Sequence, residues 1–276
     1  MVARVLLWVV ACLSAAGLAC PVYAQDPRNG GGPSVDDLLA IQVYAIGGSL
    51  FSFGARGTIG AVDVTDPTNT LISSQSGGGS SATALLGARV HFPFLWYMHD
   101  EQTLGYSFFF ETGIQSGFGA QSFIQPFQGT SPNALDFGTS TVREYFQVPL
   151  LLGVTVPIGG QAASPGVLLD VYGGVTIDSW SLVLQGAENG APGQQGFNWE
   201  NRMYTADPTI GLGVRVPVGE LADLPVFVGA NAELQFRPGT SVQTFSNNFA
   251  VSYTSSVGPT TNLAIMARIG VAFSGR

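Results

Sequence analysis

The chain has 276 residues, of which 46% are hydrophobic and only 10% charged, against roughly a quarter charged in an ordinary soluble domain. All ten cations are Arg, the formal net charge is −8, and 37 residues are Gly. This balance excludes a disordered chain and argues against a nucleic-acid binder or an ordinary soluble enzyme.

Residues 1–24 read as an export signal. Arg4 gives a positive start, Val5 to Leu18 is an apolar run, and Val22-Tyr23-Ala24 offers a small residue for cleavage before Gln25. Cys12 and Cys20 both lie in this segment. The mature chain is therefore expected to lack disulfides, a thiol nucleophile and thiolate metal ligands.

Beyond residue 25 no stretch of about 18 uninterrupted apolar residues occurs, so helical membrane spans are not expected. Pro149 and Pro157 interrupt the most apolar candidate. Period-2 alternation takes its place down the chain. Phe51, Phe53, Ala55, Ile59 and Ala61 alternate with Ser52, Arg56 and Thr58. Ala84, Leu86, Ala88, Val90, Phe92 and Phe94 alternate with Thr83, Arg89 and His91. Leu104, Tyr106, Phe108, Phe110, Ile114 and Phe118 alternate with Ser107, Glu111 and Gln115. Phe146, Val148, Leu150, Leu152, Val154 and Val156 alternate with Arg143, Tyr145, Gln147 and Thr155.

The second half repeats the pattern. Val167, Leu169, Val171, Val175 and Ile177 alternate with Asp170, Tyr172, Thr176 and Asp178. Ile210, Leu212, Val214 and Val216 alternate with Asp207, Thr209 and Arg215. Val226, Val228, Leu234 and Phe236 alternate with Asn231, Glu233, Gln235 and Arg237. Leu263, Ile265, Ile269, Val271 and Phe273 alternate with Asn262 and Arg268. Eight strands result, each long enough to cross a bilayer at a tilt.

A soluble β-sandwich alternates too. Here the polar face is rich in Gly and isolated charges, while the apolar face is nearly charge-free, with Glu144 and Asp63 as exceptions near strand ends. Short turns at Trp96–Gln102, Gly159–Pro165 and Gly219–Asp223 alternate with long connections at Thr65–Gly79, Gly119–Ser140, Ser181–Met203 and Gly239–Thr260. That combination predicts an all-β fold, an eight-stranded antiparallel up-and-down transmembrane barrel with short periplasmic turns and long outer loops. Residues 25–48 are expected as a periplasmic lead-in, with Ile41–Gly48 able to lengthen the first strand, and residues 49–276 as the barrel.

On these residues the chain resembles the eight-stranded bacterial outer-membrane barrels, and is similar to the transmembrane domain of the outer membrane protein A family and its short relatives. The last strand, Arg268–Phe273, resembles the C-terminal signal that such barrels present to their assembly machinery, although Ser274-Gly275-Arg276 follows where an aromatic is usual. The resemblance implies an outer-membrane location, outer-membrane lipids and the assembly machinery as partners, and no nucleic acid.

An eight-stranded interior is only just wide enough to be filled by side chains. Arg56, Arg89, Arg143, Arg215, Arg237 and Arg268 are expected there with Glu111, Asp170, Asp178, Asp207 and Glu233, as a salt-bridge network in the lumen. Near-balanced signs favour a structural plug over an ion pathway. His91 and His99 are the two histidines; neither is expected near the outer rim, so no catalytic, cofactor or metal residues are expected. Phe92, Phe94, Trp96, Tyr97 and Tyr106 are expected in a lower aromatic girdle, and Phe118, Trp180, Tyr204 and Phe236 in an upper one. Ser241–Phe245 and Phe249–Tyr253 keep strand parity and could project as a sheet edge able to pair with another chain. The expectation is a non-catalytic surface protein serving envelope integrity or adhesion, with an extracellular protein partner at the outer loops. The alternative is a small porin-like diffusion channel.

Overall fold

A computed structural model describes residues 40–63, 70–98, 104–118, 120–127, 135–161, 164–188, 195–245 and 251–273. The export segment (1–24), His99 and residues 25–39 lie outside the described residues, as does the side chain of Arg56.

Alternating side chains turn one face of each strand to the outside and one to the inside. The strands that do this are β1 (Ile41–Asp63), β2 (Thr70–Met98), β3 (Leu104–Phe118), β5 (Leu135–Gln161), β6 (Ser164–Glu188), β7 (Gln195–Leu221), β8 (Leu224–Arg237) and β11 (Thr260–Phe273). Each pairs antiparallel with the next, and β11 pairs with β1 from Ile41↔Phe273 to Phe53↔Thr261. The ring closes. The chain forms an eight-stranded antiparallel β-barrel without helices among the described residues. Strand β1 begins at Ile41, so Ile41–Gly48 belong to the wall.

Side chains sort by face. Leu86, Ile114, Leu152, Ile210, Leu212 and Ile269 are exposed on the outside, whereas Arg89, Glu111, Asp170, Arg215 and Glu233 are buried inside. An apolar exterior around a polar interior inverts a soluble protein, and it suits a wall solvated by lipid. Between β7 and β8 the chain reverses through Ala222 and Asp223, at φ 53° and 63°. Two left-handed residues make the tight turn whose twist matches the strands.

The long connections differ from expectation except at Ser241–Phe245, where the strand expected from parity is present. Gly- and Ser-rich segments expected as loops are instead strand over most of their described length. Strand β4 (Ala120–Phe127) pairs with β5, while β9 (Thr240–Phe245) and β10 (Val251–Val257) form a hairpin whose β10 pairs with β1. Above the closed ring, β8 and β11 have ended and β3 has given way to β4. The ladders there group into two four-stranded blades, β4-β5-β6-β7 and β2-β1-β10-β9, with β4 lying beside β2 without ladder pairing. Strand β7 pairs with β8 only from Thr209 onward, so its segment from Gln195 to Pro208 has an edge without a ladder partner among the described residues. Strand β9 ends the other blade. The two blades touch low on this seam, where Thr240 Oγ1 lies 3.7 Å from Met203 Sδ.

Candidate functional site

The lumen holds the charges in three levels. Nearest the termini, Asp170 on β6 receives Arg215 at two points, Nε at 2.8 Å and Nη2 at 2.7 Å. Thr155 Oγ1 donates to the same carboxylate at 2.7 Å, and Arg268 Nη2 at 2.5 Å. Arg215 also reaches Gln42 Oε1 at 2.5 Å and Tyr44 Oη at 3.2 Å. Such fork-to-carboxylate geometry is what Arg provides and Lys cannot. Arg268 fits because its neighbours are glycines. A Cβ on Gly213 would stand 2.8 Å from Arg268 Nη2, and one on Gly229 would stand 3.1 Å from its Nε.

At mid-height Arg89 binds Glu233 through Nη1 at 2.5 Å and Nη2 at 3.0 Å, and Glu111 at 3.1 Å. Arg268 links the levels, with Nη1 at 3.6 Å from Glu111. Tyr172 Oη donates to Glu233 at 2.9 Å. His91 Nδ1 lies 3.2 Å from Glu111, with its ring centroid 4.2 Å from that of Phe109. These residues are at most 5% exposed. Three arginines (Arg89, Arg215, Arg268) here face three carboxylates (Glu111, Asp170, Glu233), so the two lower levels are neutral.

The upper level is different. Arg237 faces Glu144 at 2.8 Å, Asp207 at 3.4 Å and also Asp178, with its guanidinium carbon 5.1 Å from the Trp180 ring. Gln147 connects this level to the one below, accepting from Gln115 at 2.6 Å and donating to Asp178 at 3.2 Å. Three carboxylates share one cation.

Two placements correct the sequence reading. Arg143, expected in the lumen, faces outward with its side chain 47% exposed and lies 3.8 Å from Glu200. Glu144, expected on the apolar face, points inward and is 3% exposed. The cause is a β-bulge: the β5–β6 register steps from Glu144↔Trp180 to Phe146↔Ser179. An extra residue in one strand reverses its facing from that point on. Trp180 is a third correction. It is fully buried in the lumen, donating to Thr205 Oγ1 at 3.3 Å, and is not part of an outer girdle. Tyr204, Phe118 and Phe236 are exposed on the outside.

Sequence reasoning left Gln42 and Tyr44 out of the network because they precede the expected first strand. Gln115, Gln147, Thr155 and Tyr172 were on the inward face, and their polar ends facing charged neighbours were the available signal.

No family model matches the sequence. No curated protein matches it either. Among solved structures, the outer membrane protease OmpT of Escherichia coli aligns with 85% of this chain and 97% of its own, at 10% identity and a TM-score of 0.36. Ail, the attachment invasion locus protein of Yersinia pestis, covers 85% of this chain and 99% of its own, at 10% identity and a TM-score of 0.26. A FadL homologue of Pseudomonas aeruginosa covers 92% and 96%, at 9% identity and a TM-score of 0.26. At these values the fold rests on the chain's own strand pairing.

Proposed function

We propose that the chain is a non-catalytic protein of the bacterial outer membrane whose lumen is plugged and which acts through its two blades, in surface interaction or adhesion and in envelope integrity. One observation carries this reading: a continuous set of ion pairs and hydrogen bonds runs from Asp170 through Arg268, Glu111, Arg89, Gln115, Gln147 and Asp178 to Arg237. A lumen so filled leaves little room for a solute. It also leaves His91 sealed against Glu111 and Phe109, away from any lipid or peptide substrate. The blades are the remaining surface, and the β7 edge, without a ladder partner among the described residues, offers backbone groups to an extended segment of an extracellular protein. Adherence of intact cells to immobilised extracellular-matrix proteins tests the reading. Cells carrying the full chain should adhere more than cells carrying a folded barrel with the blade part of the β6–β7 hairpin shortened, which removes the β7 edge. Equal adherence contradicts it.

A second reading, a small diffusion channel, draws on one side of the lumen. Ser52, Gln235, Asn262 and Asn231, on adjacent strands β1, β11 and β8, carry buried side-chain atoms without a protein partner among the described residues. Such a row could line a narrow hydrated path, which conductance would reveal.

A further inference from the structure

Among the described side chains, the exposed cations gather at one patch of the outer wall. Of the six Arg side chains described, Arg89, Arg215, Arg237 and Arg268 point into the lumen. The other two, Arg143 and Arg202, are exposed and stand together on the outward face of β5 and β7. The guanidinium carbon of Arg202 lies 4.6 Å from the ring centroid of Tyr145, 5.7 Å from Phe146 and 5.9 Å from Tyr204. Stacking on aromatic faces holds a guanidinium flat while leaving its edge free. Arg202 Nε donates to Ser179 Oγ at 3.1 Å. Its two Nη groups have no carboxylate partner among the described residues. Glu200 is already held by Tyr145 Oη, by Ser181 Oγ at 2.8 Å and by Arg143 at 3.8 Å. The patch is therefore net positive by one charge in a chain of net charge −8.

Its height is specific. The outward residues of β6 from Val167 to Ile177 are apolar or Gly, and Ser179 and Ser181 follow directly. At roughly 3.3 Å per residue and a tilt near ~40°, that apolar run rises about 25 Å, the thickness of the lipid-facing band. Arg143 and Arg202 are both level with Ser181, two outward positions above Ile177, and Arg202 leans down to Ser179; this is just above the hydrocarbon edge, where lipid phosphates lie. At the opposite end the exposed charges of the β7–β8 turn are the acids Glu220 and Asp223.

We propose that Arg143 and Arg202, on the Tyr145–Phe146–Tyr204 platform, bind the phosphate of a membrane lipid in the leaflet on the blade side, with the acyl chains lying along Val148, Ile177 and Ala206 below. Arg edges pair with phosphate through two parallel hydrogen bonds, and the bulge that turns Arg143 outward is what brings the second cation to the site.

The test is native mass spectrometry of the refolded full chain in detergent, titrated with diphosphoryl lipid A. One lipid should be retained per barrel. Retention should fall about tenfold for dephosphorylated lipid A, and by a similar factor for the Arg143→Gln/Arg202→Gln double variant. A tenfold excess of inorganic phosphate over lipid should leave the lipid bound. Equal retention of the two lipids by the parent overturns the proposal, whatever the variant does. Unchanged retention by a double variant that migrates as a folded barrel overturns it as well, and displacement by inorganic phosphate would assign the patch to a free ion.

Discussion

Arg89 on β2 closes both terminal guanidinium nitrogens on Glu233 of β8, at 2.5 and 3.0 Å. Strands β1 and β11 lie between these two in the wall, so the pair spans the lumen. A tie between non-neighbouring strands makes the interior part of the fold. Removing one partner leaves a buried charge uncompensated, at a cost on the order of 3–5 kcal/mol. Glu233→Ala should therefore unfold at clearly lower urea than the parent in detergent micelles. An unchanged midpoint would contradict the tie.

The two ends of the lumen should respond oppositely to loss of a carboxylate. Asp170 is the shared acceptor of Arg215 and Arg268, so Asp170→Asn should be strongly destabilising, again by about 3–5 kcal/mol. Asp207 shares Arg237 with two other carboxylates, and its Oδ1 has no partner among the described residues. Close like charges repel, so Asp207→Asn should leave the urea midpoint at neutral pH unchanged or higher. A larger loss from Asp207→Asn than from Asp170→Asn would refute the level-by-level balance.

The bulge in β5 makes a local prediction. Arg143→Cys should react with a membrane-impermeant maleimide on folded protein, and Glu144→Cys should not. The reverse pattern would restore the uninterrupted alternation.

How far the sequence carried follows from the physics of each element. Period-2 alternation specifies facing wherever one side meets lipid and the other a polar lumen. The facing of Arg89, Glu111, Asp170, Arg215 and Glu233 is therefore visible from their apolar neighbours. Alternation is silent about an inserted residue, and no Gly or Pro in Arg143-Glu144-Tyr145-Phe146 marks the bulge. Trp180 shares the parity of Asp178, which places it inside; its position near a strand end suggested a girdle instead. In the blades the segments are rich in Gly, Ser and Thr and carry little apolar alternation, so strands such as Thr70–Ser81 look like loops. The apolar residues of Ser241–Phe245 were enough to keep that strand legible.

Topology gives a fourth expectation. With both termini periplasmic, protease added to intact cells should cut in residues 64–69, 128–134, 189–194 or 246–250, which join strands at the blade end. The Ala222–Asp223 turn and residues 159–165 should be spared. Cleavage at either would invert the barrel in its membrane.

The central claim is that the lumen is closed by its own ion pairs, and planar-bilayer conductance of the refolded full chain tests it most directly. The account predicts a silent bilayer at neutral pH, with conductance appearing only when the Arg89–Glu233 tie is removed. Steady unitary openings from the parent protein would contradict it and favour the channel lined by Ser52, Asn231, Gln235 and Asn262.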